Sequence, residues 1–300
     1  MKTPPVDIAH ALPDARRSST VADYISLTKP RLNLLVVLTS AAGYYLGGIT
    51  APDLMKMAQA VAGTALVAGG ASVLNQVYER DTDARMRRTR MRPLPDQRVA
   101  VTEATIYGLV LSAAGLAMLA LSANWVAPSL AFATLVTYLL IYTPMKRTST
   151  FSTLVGAVPG ALPAVIGWSA ARGNIAIGGW TLFAIVFLWQ IPHFMAIAWM
   201  YRDDYRNAGF PMLPVVEPDG RRTGQQALLY SAALLPVSIG PSFVGLAGWV
   251  YFWSALVLGA ALLALSIQFA RSRTDASART LFFASIIYLP LIWTVMVLDH

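Results

Sequence analysis

The chain has 300 residues, of which 56% are hydrophobic, only 13% are charged and none is cysteine. Soluble domains usually carry about 25% charged residues, so this composition excludes a mainly water-facing surface, and the lack of cysteine excludes disulfides, thiolate metal sites and cysteine catalysis. The net charge of +8 is compatible with nucleic-acid binding, but we expect no nucleic-acid partner because the basic residues lie in short segments between long apolar runs.

Nine apolar runs are long enough to cross a bilayer, whose hydrocarbon core needs roughly 20 apolar residues per helix. Backbone in lipid must satisfy its own hydrogen bonds, and the runs are too long for barrel strands. We therefore predict an all-α integral membrane protein with nine transmembrane helices around a central cavity. In chain order the runs are 32–50, 56–78, 102–122, 125–143, 152–170, 179–201, 226–246, 249–270 and 280–298.

The basic residues predict how these helices are oriented. Cytoplasmic loops are rich in Lys and Arg, and 21 of the 23 basic residues lie on one side, whereas the other side has only Lys56 and Arg172. The N-terminus is therefore predicted to be cytoplasmic and the C-terminus to lie on the opposite side. The first 30 residues have no apolar core, so we expect no signal peptide. Residues 1–24 are interpreted as a disordered cytoplasmic tail and 25–300 as a single domain.

Three polar side chains lie at intervals of four residues where the second run ends: Asn75, Glu79 and Asp83. On a helix each is displaced by only about 40° from the one before it, whereas Asp81 lies about 240° from Asn75 and points elsewhere. Three oxygen-bearing side chains on one face are typical of a hard-cation site such as Mg²⁺. Acids near the membrane are costly, and a loop that only sets orientation needs none.

An arginine-rich stretch follows this face. Arg88 and Arg92 are four residues apart and suited to bind phosphate oxygens in bidentate fashion. The other arginines nearby are interpreted as parts of a solvated loop with ion pairs such as Asp81–Arg85, which contribute little stability. They are Arg80, Arg85, Arg87 and Arg90. Together the two features favour binding of a Mg²⁺–diphosphate complex.

A second polar group lies in and after the sixth run. Gln190 and His193 are inside the run, and Asp203 and Asp204 follow at its end. On a straight helix, Gln190, His193 and Asp204 lie within about 60° of one another, and His193 is about 16 Å from Asp204 along the axis. The pattern predicts one face with an acidic mouth and a polar residue deep inside, unless Pro192 kinks the helix.

The first group resembles the signature of the intramembrane UbiA-type prenyltransferases. That signature has an Asn, an acid and an Asp at intervals of four, followed by Met-x-Arg-Thr-x-x-Arg-Pro-Leu. The family usually has Gly before the next basic residue, where this chain has Gln97. The matching residues here are Asn75, Glu79, Asp83, Met86, Arg88, Thr89, Arg92, Pro93 and Leu94.

The resemblance covers about residues 25–300 and is strongest to the branch that farnesylates heme b. The family's second motif, Asp-x-x-x-Asp, is incomplete because Met200 stands four residues before Asp204. The Asp203–Asp204–Tyr205 cluster together with His193 is similar to that branch instead. Three further stretches also fit it, namely Thr28–Arg31, Tyr142–Arg147 and Gly160–Trp168.

The resemblance implies Mg²⁺-dependent transfer of a farnesyl group from farnesyl diphosphate to a vinyl group of heme b. It implies a multi-pass protein of a bacterial-type inner membrane, with the mouth of the site on the cytoplasmic side. The implied catalytic residues are Asn75, Glu79, Asp83, His193 and Asp204. The implied metal ligands are Asn75, Glu79, Asp83, Asp203 and Asp204, and the implied diphosphate ligands are Lys29, Arg31, Arg88, Arg92, Lys146 and Arg147.

Several alternatives stay open. The acceptor could be a quinone-precursor ring such as 4-hydroxybenzoate, and a membrane transporter of similar helix count is the competing class. His193 is either bonded to a neighbouring helix, in contact with the porphyrin (as an iron ligand, for example) or a proton carrier, and Gln190 is interpreted as its packing partner beside the heme. A downstream heme-modifying or oxidase-assembly protein is a further expected partner.

Overall fold

The fold is known from a computed structural model that describes residues 19–48 and 52–300, and every regular element in these ranges is a helix. A π-helical turn, Thr137–Tyr142, follows the helix Val126–Val136 and precedes the short helix Thr143–Met145. The elements are α1 (Val21–Leu27), α2 (Pro30–Gly47), α3 (Leu54–Asp83), α4 (Val101–Ser122), α5 (Val126–Val136), α6 (Thr143–Met145), α7 (Ser152–Arg172), α8 (Ile177–Met200), α9 (Arg202–Ala208), α10 (Leu213–Val216), α11 (Arg221–Phe243), α12 (Trp249–Ser272) and α13 (Asp275–Leu298).

Seven segments of the described chain are long and apolar enough to cross a membrane. They are α3, α4, the continuous segment Val126–Met145, α7, α8, α12 and α13. The predicted runs 32–50 and 226–246 overlap with α2 and α11, and residues 49–50 of the first run lie outside the described residues. These two helices begin with polar residues such as Arg31 and Arg221 and fall short of the same apolarity. The all-α membrane fold is thus confirmed, while nine spans and the side of each terminus stay predictions.

The helices around the cavity approach one another closely at glycines. On α2 and α7, a Cβ added at Gly43 or Gly167 would collide with the backbone of the facing helix. On α3 and α4, one added at Gly70 or Gly115 would do the same. Small residues let membrane helices pack backbone against backbone, and here they hold α3 and α7, two walls of the cavity, against α4 and α2.

The chain is ordered earlier than predicted. Thr20 caps α1 through a capping box with Asp23, whose carboxylate accepts from the Thr20 backbone N–H. Asp23 is buried and pairs with Arg98. Disorder of residues 21–24 was therefore a wrong prediction, and residues 1–18 of the proposed tail lie outside the described residues.

The sixth predicted span does not continue as a straight helix. Helix α8 ends at Met200, Tyr201 leaves the helical conformation with φ −111° and ψ 22°, and α9 begins at Arg202. The predicted common face of Gln190, His193 and Asp204 is therefore wrong, because the break resets the helical phase before Asp204.

Candidate active site

A cavity of about 490 Å³ lies between α2, α3, the π-helical turn, α7 and α8. Apolar side chains such as Val36, Val186 and Ile197 line much of its wall. Its charged lining residues come from the start of α2, the end of α3 and the segments that follow α3 and α6: Lys29, Glu79, Asp83, Arg88, Arg92 and Lys146. One end is thus charged and the remainder mostly apolar, which suits a ligand with an anionic head and a hydrocarbon chain.

The predicted face of α3 lines this charged end. Helix α3 continues through Asp83, and Asn75, Glu79 and Asp83 are each at most 4% exposed. Asp81, by contrast, is exposed and pairs with Arg80 at 2.9 Å. The angular spacing on the helix therefore correctly predicted that Asp81 points away from the face that lines the cavity.

Each residue of this face has a partner from another segment. The Asn75 side chain accepts from Lys29 Nζ at 3.3 Å and donates to Thr143 Oγ1 at 3.1 Å. Glu79 pairs with Lys146 at 2.6 Å, and Asp83 pairs with Arg92 at 2.8 Å.

Two of these partners, Lys29 and Lys146, have shifted pKa values. Lys29 occupies the left-handed backbone region, φ 50° and ψ 56°, in the turn just before α2, a conformation uncommon for residues other than glycine. Burial and the charge of Arg92 lower the pKa of Lys29 to about 8. Burial also opposes the charge of Lys146, but Tyr142 and Glu79 outweigh it and raise the Lys146 pKa.

The cavity is lined by more cationic side chains than carboxylates. Arg88 donates to the Tyr205 hydroxyl at 2.9 Å and lies over the rings of Tyr201 and Tyr205, 5.0 and 5.2 Å from their centroids. Four cationic side chains line the cavity, Lys29, Arg88, Arg92 and Lys146, against two carboxylates, Glu79 and Asp83. The excess of two positive charges favours an anionic ligand.

Four of the predicted site residues do not line the cavity: Arg31, Arg147, Asp203 and Asp204. Arg147 donates to the Tyr78 carbonyl at 3.1 Å, and Asp203, with a 74% exposed side chain, pairs with Arg206 at 2.8 Å. No group of three or more acidic or histidine side chains in the described chain is close enough to hold a metal. Asp203 and Asp204 do not line the cavity because the break at Tyr201 places them on the separate short helix α9.

Three buried side chains with oxygen atoms nevertheless fit a Mg²⁺ ion. Mg²⁺ typically takes one or two carboxylates and completes its shell with water and phosphate oxygens. Glu79 and Asp83 provide the two carboxylates, the Asn75 amide provides a third oxygen, and each carboxylate keeps lone pairs beyond its ion pair.

Gln190 and His193 line the cavity farther along α8. Gln190 donates to the carbonyls of Ala157 and Val186 at 3.2 and 3.1 Å, so it is held by α7 and its own helix. His193 Nδ1 instead lies 2.8 Å from Ser285 Oγ on α13. The predicted bond to a neighbouring helix is therefore present, and Gln190 is not its hydrogen-bond partner.

Sequence reasoning gave no role to three partners of the site: Thr143, Tyr205 and Ser285. Thr143 lies inside the stretch Tyr142–Arg147 and Tyr205 directly follows Asp204, so their positions carried a signal. Ser285 is 92 residues from His193, and no local pattern marks it.

Comparisons with known proteins identify the family of this chain. Residues 36–287 match the UbiA prenyltransferase family. The chain is 45% identical over 287 residues to the protoheme IX farnesyltransferase of Solibacter usitatus, covering 93% of this chain and 98% of that one. It is 42% identical over 300 residues to the protoheme IX farnesyltransferase of Koribacter versatilis, covering 97% of each.

Solved structures are similar in fold at much lower identity. A structure of a digeranylgeranylglyceryl phosphate synthase has a TM-score of 0.78 at 15% identity and covers 93% of this chain and 98% of its own. A UbiA homologue from Archaeoglobus fulgidus bound to GPP and Mg²⁺ has a TM-score of 0.63 at 17% identity and covers 91% of this chain and 99% of its own.

Proposed function

This chain belongs to the UbiA prenyltransferase family, and we propose that it transfers the farnesyl group of farnesyl diphosphate to a vinyl group of heme b (protoheme IX), giving heme O. Two curated relatives that match nearly its whole length are named for this activity. The observation that carries the proposal is the cavity itself, with an excess of cationic side chains at one end of an apolar chamber.

The polar end is the proposed diphosphate site. Lys29, Arg88, Arg92 and Lys146 would bind the diphosphate oxygens, since guanidinium and ammonium groups both suit phosphate. Arg31 and Arg147 remain proposed as outer members of this set, which the incoming diphosphate would draw closer.

The same end is the proposed metal site, held by Asn75, Glu79 and Asp83. When bound, Mg²⁺ supplies Lewis-acid stabilisation of the departing diphosphate. Asp203 and Asp204 stay in the proposed set, because Tyr205, next to them on α9, already contacts Arg88 of the cavity. The relative bound to GPP and Mg²⁺ has the same fold, which supports a divalent cation here.

The reaction needs no protein nucleophile. The bond between farnesyl C1 and oxygen breaks, and the diphosphate leaves with the electron pair. The heme vinyl group then forms a carbon–carbon bond to C1, water adds to the resulting cation, and one proton is lost, leaving a hydroxyethylfarnesyl group. The apolar wall around Val186 and Ile197 would keep other water away from the allylic cation.

The proposed topology has nine spans, with α2 and α11 added to the seven apolar segments. Loops rich in Lys and Arg lie on one side in this arrangement, which supports a cytoplasmic N-terminus, a C-terminus on the far side and a cytoplasmic mouth of the cavity. We place the protein in a bacterial-type inner membrane, as one domain up to residue 300. A downstream heme-modifying or oxidase-assembly protein is the proposed recipient of the product.

The acceptor distinguishes this function from prenylation of a quinone precursor. Purified protein in detergent is incubated with labelled farnesyl diphosphate and either heme b or 4-hydroxybenzoate, with and without Mg²⁺. We expect label in the porphyrin only, and only with a divalent cation. Label in 4-hydroxybenzoate but not in heme would overturn the proposed acceptor, and a transporter would label neither.

A further inference from the structure

We propose that Ser285 fixes His193 in the tautomer whose Nε2 lone pair faces the cavity, and that this nitrogen is an axial ligand to the iron of the heme substrate. The inference rests on the proposed function, because it requires heme b as the acceptor. Ser285 is then a positioning residue, acting through His193.

The number of protons in the hydrogen-bond network assigns the tautomer. Ser285 Oγ is 2.8 Å from His193 Nδ1 and 2.7 Å from the carbonyl oxygen of Phe282. A hydroxyl has one proton and a carbonyl can only accept, so the serine donates to Phe282. Ser285 Oγ must then accept from His193 Nδ1–H, and in the neutral imidazole Nε2 is left without a proton.

Two aromatic rings stack on the imidazole and help to hold its orientation. The Trp189 ring lies 5.2 Å from it with an interplanar angle of 19°, and the Phe282 ring lies 5.0 Å from it at 22°. The Trp189 indole N–H in turn donates to the Ser285 carbonyl at 2.7 Å. Ser285 therefore anchors both the imidazole and the ring that packs against it.

The second nitrogen is left for a ligand. His193 lines the cavity, and its Nε2 has no hydrogen-bond partner among the described residues. His193 Nε2 is not one of the fully buried polar atoms of the described chain that lack a partner, so it is accessible to a ligand that enters the cavity.

An iron ion satisfies that lone pair better than the other candidates do. Neutral imidazole is a common ligand of heme iron, and ligating histidines almost always use their other nitrogen to donate to a partner that orients the ring. A general base usually has a carboxylate behind it to stabilise the imidazolium. Here the partner is a neutral hydroxyl, so the arrangement favours a ligand over a base.

Heme binding without turnover tests the inference. The full chain in detergent is titrated with heme b in the absence of farnesyl diphosphate, and the Soret band and the resonance Raman spectrum are recorded. We expect a histidine–iron signature in the unchanged protein and its loss in His193→Ala and His193→Gln, with heme affinity at least about 10-fold weaker. Added imidazole should restore the signature in His193→Ala.

Ser285→Ala tests the positioning role. Loss of a partner that orients a metal ligand typically costs 10–100-fold in metal affinity, so we expect about a 10-fold loss of heme affinity and a shifted iron–histidine band. The matched control is Ser231→Ala, which also removes a buried serine hydroxyl. Ser231 on α11 is hydrogen-bonded to Ser266 on α12 at 2.7 Å and does not line the cavity. Ser231→Ala should leave the heme spectrum unchanged, and farnesyl diphosphate affinity should stay the same in every variant.

Three results would overturn the inference. If the spectra of both His193 variants are unchanged and heme is still farnesylated, His193 is not an iron ligand, and the proposed function stands. Equal loss of heme and farnesyl diphosphate affinity, not restored by imidazole, would assign His193 to packing. Absence of heme binding by the unchanged protein would contradict the proposed function as well.

Discussion

Lys146 and Glu79 form an ion pair of 2.6 Å inside the cavity, although they are 67 residues apart, and their side chains are only 16% and 5% exposed. Removing one partner of a buried pair leaves the other charge uncompensated. The intact pair itself contributes little stability, because desolvation offsets its attraction. The proposed diphosphate–metal complex would use both members, the ammonium group for phosphate and the carboxylate for the metal.

Glu79→Gln should lower turnover at least about 10-fold, the equivalent of about 1.4 kcal/mol for one lost charged contact. Glutamine keeps the size of the side chain and removes the charge that faces the metal and Lys146. Asp81→Asn is the matched control, because Asp81 is exposed and Arg80 is its one ion-pair partner among the described residues. Initial rates at saturating farnesyl diphosphate compare the two. Greater sensitivity at Asp81 would show that the wrong face of α3 had been assigned to the cavity.

Asp83→Ala should abolish turnover in a protein that still inserts and folds. Asp83 is buried, which the sequence alone did not indicate, but its partner Arg92 remains 29% exposed and can stay hydrated without it. Asp83→Asn is the isosteric companion variant. Size-exclusion profiles report folding, and rates are measured as a function of Mg²⁺. Near-normal turnover at limiting Mg²⁺ in either variant would exclude Asp83 from the metal set.

Arg88→Lys should raise the KM for farnesyl diphosphate several-fold, with a smaller effect on kcat. Lysine keeps the charge but loses both the bidentate phosphate geometry and the planar stacking on Tyr201 and Tyr205. Arg87→Lys is the control, because Arg87 is exposed and does not line the cavity. Equal effects of the two substitutions would indicate that only the net charge of the loop matters.

The α3 face was predictable because it depends on local geometry alone. Asn75, Glu79 and Asp83 lie on one uninterrupted helix, so a period of 3.6 residues sufficed to place them together. Asp204 was not predictable in the same way, since the helix breaks at Tyr201 and the phase is lost. Ser285 could not be found at all, because its contact with His193 depends on the packing of α13 against α8.

The turn before α4 offers a test of backbone strain. Gln97 has a φ of 56°, in the left-handed region that favours glycine. The left-handed region costs residues with a Cβ about 1 kcal/mol or more, part of which the greater chain entropy of unfolded glycine offsets. Gln97→Gly should therefore raise the free energy of unfolding by about 0.5 kcal/mol, whereas Gln97→Ala should not. Thermal unfolding in detergent measures both, and a lower midpoint for the glycine variant would contradict the strain.

The mass of the reaction product tests the central claim most directly. Purified protein is incubated with heme b, farnesyl diphosphate and Mg²⁺, and the porphyrin is extracted and analysed by mass spectrometry. The account predicts a porphyrin that has gained one farnesyl group and the elements of one hydroxyl, formed by the unchanged protein and not by Asp83→Ala. Heme of unchanged mass, together with farnesyl diphosphate that is intact or only hydrolysed, would contradict it.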